Sequence, residues 1–219
     1  TMTDVTENAE VKIAEYAAIC YDADTSPDRN EKRVKSLMKQ RHLATLRFAS
    51  ATFLVEGISR ACSHQIVRHP HLSFLQRSQR YCKEGDMGFV VPESVRNSHA
   101  LVDYQTSLTI AVDTYDHLIS AGVRKEDARF VLPQAVHTEM YVTGNFQAWF
   151  DFLLRRLDKH AQWEIRLVAS MIYGYLRQIA PNIFNADTMG FSDEEIYSSV
   201  RKTSSALKPQ STDASSPIP

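Results

Sequence analysis

Residues 57–81 read GISRACSHQIVRHPHLSFLQRSQRY, and the rest of the chain is organised around them. They hold Arg60, Arg68, Arg77 and Arg80 with His64, His69 and His71, and no Asp or Glu. The whole protein of 219 residues carries 25 Lys and Arg against 26 Asp and Glu, so this local positive charge departs from its surroundings. Guanidinium groups read phosphate in a fixed fork, and Ser and Gln add neutral hydrogen bonds, so the stretch suits a phosphate-bearing ligand. A solvated basic loop is the bland alternative. Against it, Ile58, Ala61, Cys62 and Ile66 keep the spacing of a helix packed on a core. Ser73–Tyr81 then alternates aromatic or aliphatic residues with polar ones.

The totals bound what such a site can belong to. A chain of this length is one domain with room for a substantial core. Its 43% hydrophobic and 23% charged residues are those of a soluble globular protein. No apolar run approaches the ~20 residues that cross a bilayer. The opening residues TMTDVTENAEVK lack the basic-then-apolar pattern of a secretory signal. Cys20, Cys62 and Cys82 are odd in number with no CxxC spacing, which argues against a disulfide framework or a zinc knuckle. We therefore expect a reducing, cytoplasmic setting. Balanced charge argues against a general nucleic-acid binder.

Working outward, the segment up to Tyr21 reads as a strand or short helix. Ser26 is placed to cap a helix with Pro27 at its first position, running on from Lys32 to Gln40 with Val34, Leu37 and Met38 apolar. Phe48–Val55 reads as a strand, and Phe89-Val90-Val91 as a short one between turns at Glu84-Gly85-Asp86 and Pro92-Glu93-Ser94. A long helix is expected over about Ser94–Ser120, its stripe running Leu101, Tyr104, Leu108, Ala111, Val112, Tyr115, Leu118, Ile119. Lys125–Val131 reads as a helical turn, Ala135–Val142 as a strand and Gly144-Asn145 as a turn. Helices follow with apolar stripes Phe146 to Leu157 and, over His160–Ile179, Ala161 to Ile179. The Ser/Pro-rich segment 204–219 is expected to be disordered beyond a single domain over 1–203.

Two further segments carry chemistry. Asp127-Ala128-Arg129-Phe130-Val131-Leu132-Pro133 sets an Arg ahead of an apolar run ending in Pro, where its guanidinium can enter a cleft or pair with a neighbouring acid on the surface. Residues 155–164 read RRLDKHAQWE. On a helix Arg156 projects about 20° from Trp149, at the border of the buried stripe. A border Arg has a packed stem and a fixed head, the condition for holding a carbonyl or imide.

Together these segments resemble the flavin-dependent thymidylate synthases. Arg68-His69-Pro70, seven residues, Ser78 and then Gln79-Arg80-Tyr81 is similar to that family's Arg-His-Arg signature. The Arg129 heptad resembles its Ala-Arg before Leu-Pro, and 155–164 its Leu-Arg-x-Asp-x-His-Ala-Gln-Trp-Glu run. The resemblance extends from about His42 to Trp163. It implies reductive methylation of dUMP to dTMP, with methylenetetrahydrofolate as carbon donor, FAD as cofactor and NADPH as reductant, the cofactors carrying the difficult chemistry. It also implies an α/β (α+β) fold, a small, mostly antiparallel sheet surrounded by helices, and a homotetramer with shared active sites; no nucleic-acid or membrane partner is expected.

Carried over position by position, dUMP would be held by Gln65, Arg68, Gln76, Arg77, Ser78, Gln79, Arg80, Arg129 and Arg156. Arg156 would be the catalytic residue, pressing on the uracil imide. FAD would meet Thr45, Arg68, His69, Pro70, His71, Gln76, Asn145, Gln147 and Asp151. Ser78 stands where a nucleophile could, yet no His/Asp pair is spaced to activate it, so a hydrogen bond to phosphate or uracil is its expected role. Pro70 replaces the second Arg of the signature, Asp151 stands where a neutral amide is common, and Arg47-Phe48 replaces a Glu-His pair. These departures keep open a relative that hydroxymethylates dUMP or acts on another pyrimidine nucleotide. A nucleic-acid module stacking bases on Phe74 and Tyr81, and a metal site at His64, His69 and His71, are the readings from other classes.

Overall fold

The computed structural model describes residues 1–83 and 88–197. The expected tail 204–219 and the turn at Glu84-Gly85-Asp86 lie outside the described residues. In chain order the elements are β1 (Met2–Val5), α1 (Ala9–Ala18), α2 (Pro27–Lys39), a 3-10 turn (Leu43–Phe48), β2 (Ser50–Ser59), α3 (Arg60–Ile66) and β3 (Ser73–Gln76). Then come α4 (Glu93–Arg96), α5 (Leu101–Ser120), α6 (Lys125–Ala128), a 3-10 turn (Arg129–Val131), β4 (His137–Asn145), α7 (Phe146–Arg156), α8 (Trp163–Ile179) and α9 (Ala186–Met189). The four strands form one antiparallel sheet in the order β1-β2-β4-β3, the α+β arrangement expected. Among the described residues no helix is long and apolar enough to cross a membrane.

Pleating sets which side chains of the long central strand turn inward. Ala51, Phe53 and Val55 of β2 are buried, and then the phase changes to Ile58 and Ser59. The change is a bulge: Glu56 and Gly57 stand between the pairs Val55↔Met140 and Ile58↔Thr138, which leave only Glu139 on β4. Gly57 takes φ of +67°, a conformation only glycine adopts cheaply. The strand therefore does not end at Val55, as expected from Glu56-Gly57, but runs on to Ser59 and straight into α3.

The expected turn at Gly144-Asn145 is likewise absorbed into a strand. Both residues stay in the ladder, paired with Ala51 and Ser50, and Asn145 then caps α7 by accepting from the Ala148 amide at 2.9 Å. Gly144 is there for close approach, since a Cβ on it would meet Leu72 at 2.4 Å. The apolar face of α7 supplies Phe146, Trp149, Phe150, Phe152 and Leu153 to the core, where α8 adds Ile165, Val168, Ile172 and Leu176. Trp149 Nε1 donates to the Ala51 carbonyl at 2.9 Å, tying α7 to β2.

Other expectations fare differently. The N-terminal segment holds both a strand and a helix. Ser26 stands at the N-cap of α2 without a capping hydrogen bond. Phe89 makes a single bridge to Val136 and no strand. The long helix is broken between α4 and α5, and of its stripe only Leu108 and Tyr115 are buried. Val102 and Ile110 are 69% and 59% exposed, because α5 packs on α4, α6 and the Arg129–Val131 turn rather than on the sheet.

Candidate active site

The short helix α3 gathers the charged groups. At its start, Ser59 caps it by accepting from the Cys62 amide at 3.0 Å. The Ser59 amide and hydroxyl both donate to the buried Glu164 carboxylate, at 2.7 and 2.6 Å. Glu164 is brought there by the start of α8, whose first amides, those of Glu164 and Ile165, donate to Gln162 Oε1. At the far end of α3, Arg156 Nη2 donates to the Gln65 carbonyl at 3.0 Å. The motif 155–164 thus grips α3 at both ends, an anion at its amide end and a cation at its carbonyl end, as a helix dipole favours.

Arg156 is held a second time: its Nε donates to Nε2 of His69 at 2.9 Å. His69 is 8% exposed and meets Phe152 edge-on at a centroid distance of 4.8 Å. Burial first, then the positive charges of Arg156 and Arg155, push the imidazole down to about 4, so it is neutral at physiological pH. Burial also lowers Arg156 from its ordinary value, with Arg155 and Arg68 adding repulsion. A guanidinium nonetheless stays charged near neutrality.

A second set lies over the N-terminal half of α3. Gln76 Nε2 donates to Ser63 Oγ at 2.9 Å and to Thr138 Oγ1 at 3.1 Å. Arg60 donates to the Arg77 carbonyl, Thr138 Oγ1 and Gln79 Oε1, each at 3.3 Å. Arg77 pairs with Glu139 at 3.3 Å. Ser78 opens a turn in which its carbonyl accepts from the Tyr81 and Cys82 amides and its Oγ from the Arg80 amide. Arg80 pairs with the Glu126 carboxylate at 3.2 Å and lies over the Tyr81 ring. Arg129 Nε donates to the Glu126 carbonyl at 3.0 Å. Arg80 and Arg129, far apart in sequence, therefore meet at one residue.

The residues expected near FAD divide among His69 of the first set, Gln76 of the second, the link from α3 to β3, and the seam of α7 with the Leu43–Phe48 turn. Thr45 Oγ1 donates to the His42 carbonyl at 2.9 Å, and Arg47 Nε donates to Gln147 Oε1 at 2.6 Å. Asp151 follows Gln147 by one helical turn, on the same face. Arg68, Pro70 and His71 are exposed on the link from α3 to β3. Phe48, 62% exposed, meets Tyr16 edge-on. Among the described residues no group of three or more His, Cys, Asp or Glu could hold a metal ion.

Sequence reasoning named Arg60 only as part of the basic cluster and offered a neighbouring acid only as a surface partner of Arg129, and it gave no role to Glu164. The last had a signal, since a lone carboxylate beside the stripe Ala161, Ile165, Val168 must have a buried partner. A cavity of about 850 Å³ adjoins the amide end of α3, lined chiefly by β2, α8 and residues 89–91; Glu164 and Ile58 line it, and none of the expected site residues does. Its walls, Phe53, Val55, Leu167 and Met171 among them, are mainly apolar, unlike the ground around α3.

Fold and site together define an α+β protein in which one short helix takes the Arg156 guanidinium at its carbonyl end, while Arg80 and Arg129 meet at Glu126. The chain matches the thymidylate synthase complementing protein family over residues 1–182. It is 38% identical over 190 residues to a flavin-dependent thymidylate synthase of Geobacter sulfurreducens, covering 82% of each chain. It is 34% identical over 193 residues to one of Mycobacteroides abscessus, covering 78% of this chain and 77% of that one. To one of Mycobacterium avium it is 34% identical over 226 residues, covering 92% and 86%. The chain belongs to the thymidylate synthase complementing protein family.

Proposed function

We propose that this protein methylates dUMP reductively to dTMP, taking the carbon from methylenetetrahydrofolate and the hydride from FAD reduced by NADPH. The observation that carries the reading is the seat of Arg156. With Nε and Nη2 engaged by His69 and Gln65, the guanidinium presents Nη1 as a pre-oriented cationic donor, and Arg68 is close enough to repel it. Against the uracil imide, such a donor favours the ionised ring and makes carbon 5 more nucleophilic. A fixed cation beside a developing anion in a dry site stabilises it by about 3 kcal/mol. Arg80 and Arg129 bind the nucleotide phosphate, and the Ser78 hydroxyl orients phosphate or uracil without acting as a nucleophile.

The donor set on the α7 seam fits a flavin dinucleotide. Arg47 there and Arg68 on the link from α3 to β3 offer exposed guanidinium groups for its pyrophosphate, while Thr45, Asn145 and Gln147 on the seam and His71 on the link offer further hydrogen-bonding side chains beside Asp151 and Pro70. When bound, FAD supplies the hydride that completes the methyl group; the chain's task is to hold the nucleotide against it and exclude water. A cytoplasmic homotetramer belongs to the same proposal, and the exposed Val102 and Ile110 of α5 support it, as apolar residues in want of a partner surface.

The test is direct. Purified protein is expected to be yellow and to convert dUMP, methylenetetrahydrofolate and NADPH to dTMP, while folded Arg156→Ala and Arg80→Ala proteins lose turnover. Colourless protein that FAD cannot reconstitute overturns the proposal. Pro70, Asp151 and the Arg47–Gln147 contact favour a second reading, the same scaffold delivering a hydroxymethyl group or using another pyrimidine. A product heavier than dUMP by anything but one methyl group selects it.

A further inference from the structure

We infer that Arg47, its guanidinium aimed by Gln147, holds the flavin pyrophosphate and so supplies the cation that Pro70 withholds from the link between α3 and β3. The inference rests on the reading above in taking FAD as the ligand; the aim of the arginine stands on the geometry. Arg47 belongs to the Leu43–Phe48 turn, and its backbone is fixed on both sides, since Leu46 and Ala49 are buried. The Ala49 carbonyl accepts from the Phe146 amide at the start of α7 at 2.8 Å. From that anchor the exposed side chain crosses to α7, where its Nε donates to Gln147 Oε1 at 2.6 Å.

Among the described residues Arg47 makes no other hydrogen bond or ion pair. Its Nη1 and Nη2 therefore remain as the paired donors that match the oxygens of a phosphate. The link from α3 to β3 reaches the same ground. It passes so close over the start of α7 that a Cβ on Gly144 would press on Leu72 and come within 3.6 Å of the His71 carbonyl. The same Cβ would lie 3.4 Å from Ala148, the neighbour of Gln147. Arg68 and His71 thus border the seam from one side and Arg47 from the other, while Pro70 between them offers neither charge nor N–H. A pyrophosphate diester carries a charge on each phosphate, so Arg68 alone leaves it half matched. Asp151, one helical turn beyond Gln147, repels an anion and favours the Arg47 end of the seam for it.

Fragments of the cofactor separate a grip on the pyrophosphate from a grip on the ring. Riboflavin carries the isoalloxazine without phosphate, and ADP carries the pyrophosphate without the ring. Arg47→Leu is expected to weaken FAD binding roughly 10- to 100-fold in a flavin fluorescence titration, and ADP as a competitor to a similar degree. Riboflavin affinity is expected to stay within about twofold. Gln147→Leu leaves the guanidinium present but unaimed, and is expected to weaken FAD by about three- to tenfold. Pro70 is exposed, so an arginine fits there, and adding Pro70→Arg to the Arg47→Leu protein is expected to recover most of the FAD affinity.

Unchanged FAD affinity in Arg47→Leu, riboflavin affinity falling in step with FAD, or a Pro70→Arg change that restores nothing would overturn the inference. Should Arg47→Leu fail to fold, Arg47→Gln, polar and uncharged, takes its place in every titration. Wild-type protein that binds FAD and makes no dTMP sinks the proposed reaction and leaves Arg47 where it is assigned. Wild-type protein that binds neither FAD nor ADP sinks both.

Discussion

Helices α3 and α5 make an instructive pair. The shorter, seven residues long, buries Cys62, Ser63 and Ile66 and has both its ends gripped by side chains from the 155–164 motif. The longer, twenty residues, buries two side chains, half-buries the rest of its apolar stripe and leaves Val102 and Ile110 beside that stripe exposed. Length therefore says little about how firmly a helix is built into this chain. In water a helix of seven residues has no stability of its own and depends on tertiary contacts. Those contacts make α3 rigid enough to carry Arg156.

The contrast can be broken hardest at Glu164. Glu164→Ala leaves the Ser59 amide and hydroxyl buried without their acceptor and frees the start of α8. A loss of about 3 kcal/mol is expected in urea unfolding, with turnover falling alongside it. An unchanged midpoint would mean that α3 is not anchored as described.

Acid sharpens the contrast at the other end of α3. The folded protein holds His69 down at about 4, below its ordinary 6.5, so the unfolded chain binds that proton more readily. The stability this confers is complete above about pH 6.5 and drains away as pH falls towards about 4, at up to about 1.4 kcal/mol per pH unit. Replacing His69 by Gln should flatten that limb of a stability-against-pH curve. An identical slope in both proteins would remove His69 from the account.

The smallest effect on the folded chain should come from α5. Val102→Asp with Ile110→Asp is expected to shift chain stability by less than about 0.5 kcal/mol per site. Sedimentation velocity should nevertheless show smaller particles than wild type. Retention of the wild-type mass would leave these two exposed residues without their proposed purpose.

The same pair marks where reading the residues succeeded. The stripe of α7 and most of the buried face of α8 followed from spacing alone, because those helices bury their apolar sides within one chain. The stripe of α5 follows the same period, yet periodicity cannot say whether the covering surface lies in this chain or outside it. The strand ends were misjudged for a different reason. Glu56-Gly57 and Gly144-Asn145 look like turns, but Gly57 absorbs a bulge and Gly144 admits Leu72, so glycine there serves continuation. In the site, Arg156 was picked from its place at the border of the stripe. Its partner His69 was legible only as part of a charged cluster, since no spacing rule joins positions 69 and 156. Arg60 was legible only as part of the same cluster, because its three acceptors come from separate segments brought together only by folding.

One feature of α3 has a bearing on tolerance to change. At ~1.5 Å and ~100° per residue, seven residues make a ruler of about 10 Å between Ser59 and the Gln65 carbonyl. One residue added or deleted would swing that carbonyl a quarter-turn around the axis, and the arginine docked on it would lose its landing. The exposed side chains of α3, Ala61 and His64, can be exchanged one at a time, but its length cannot.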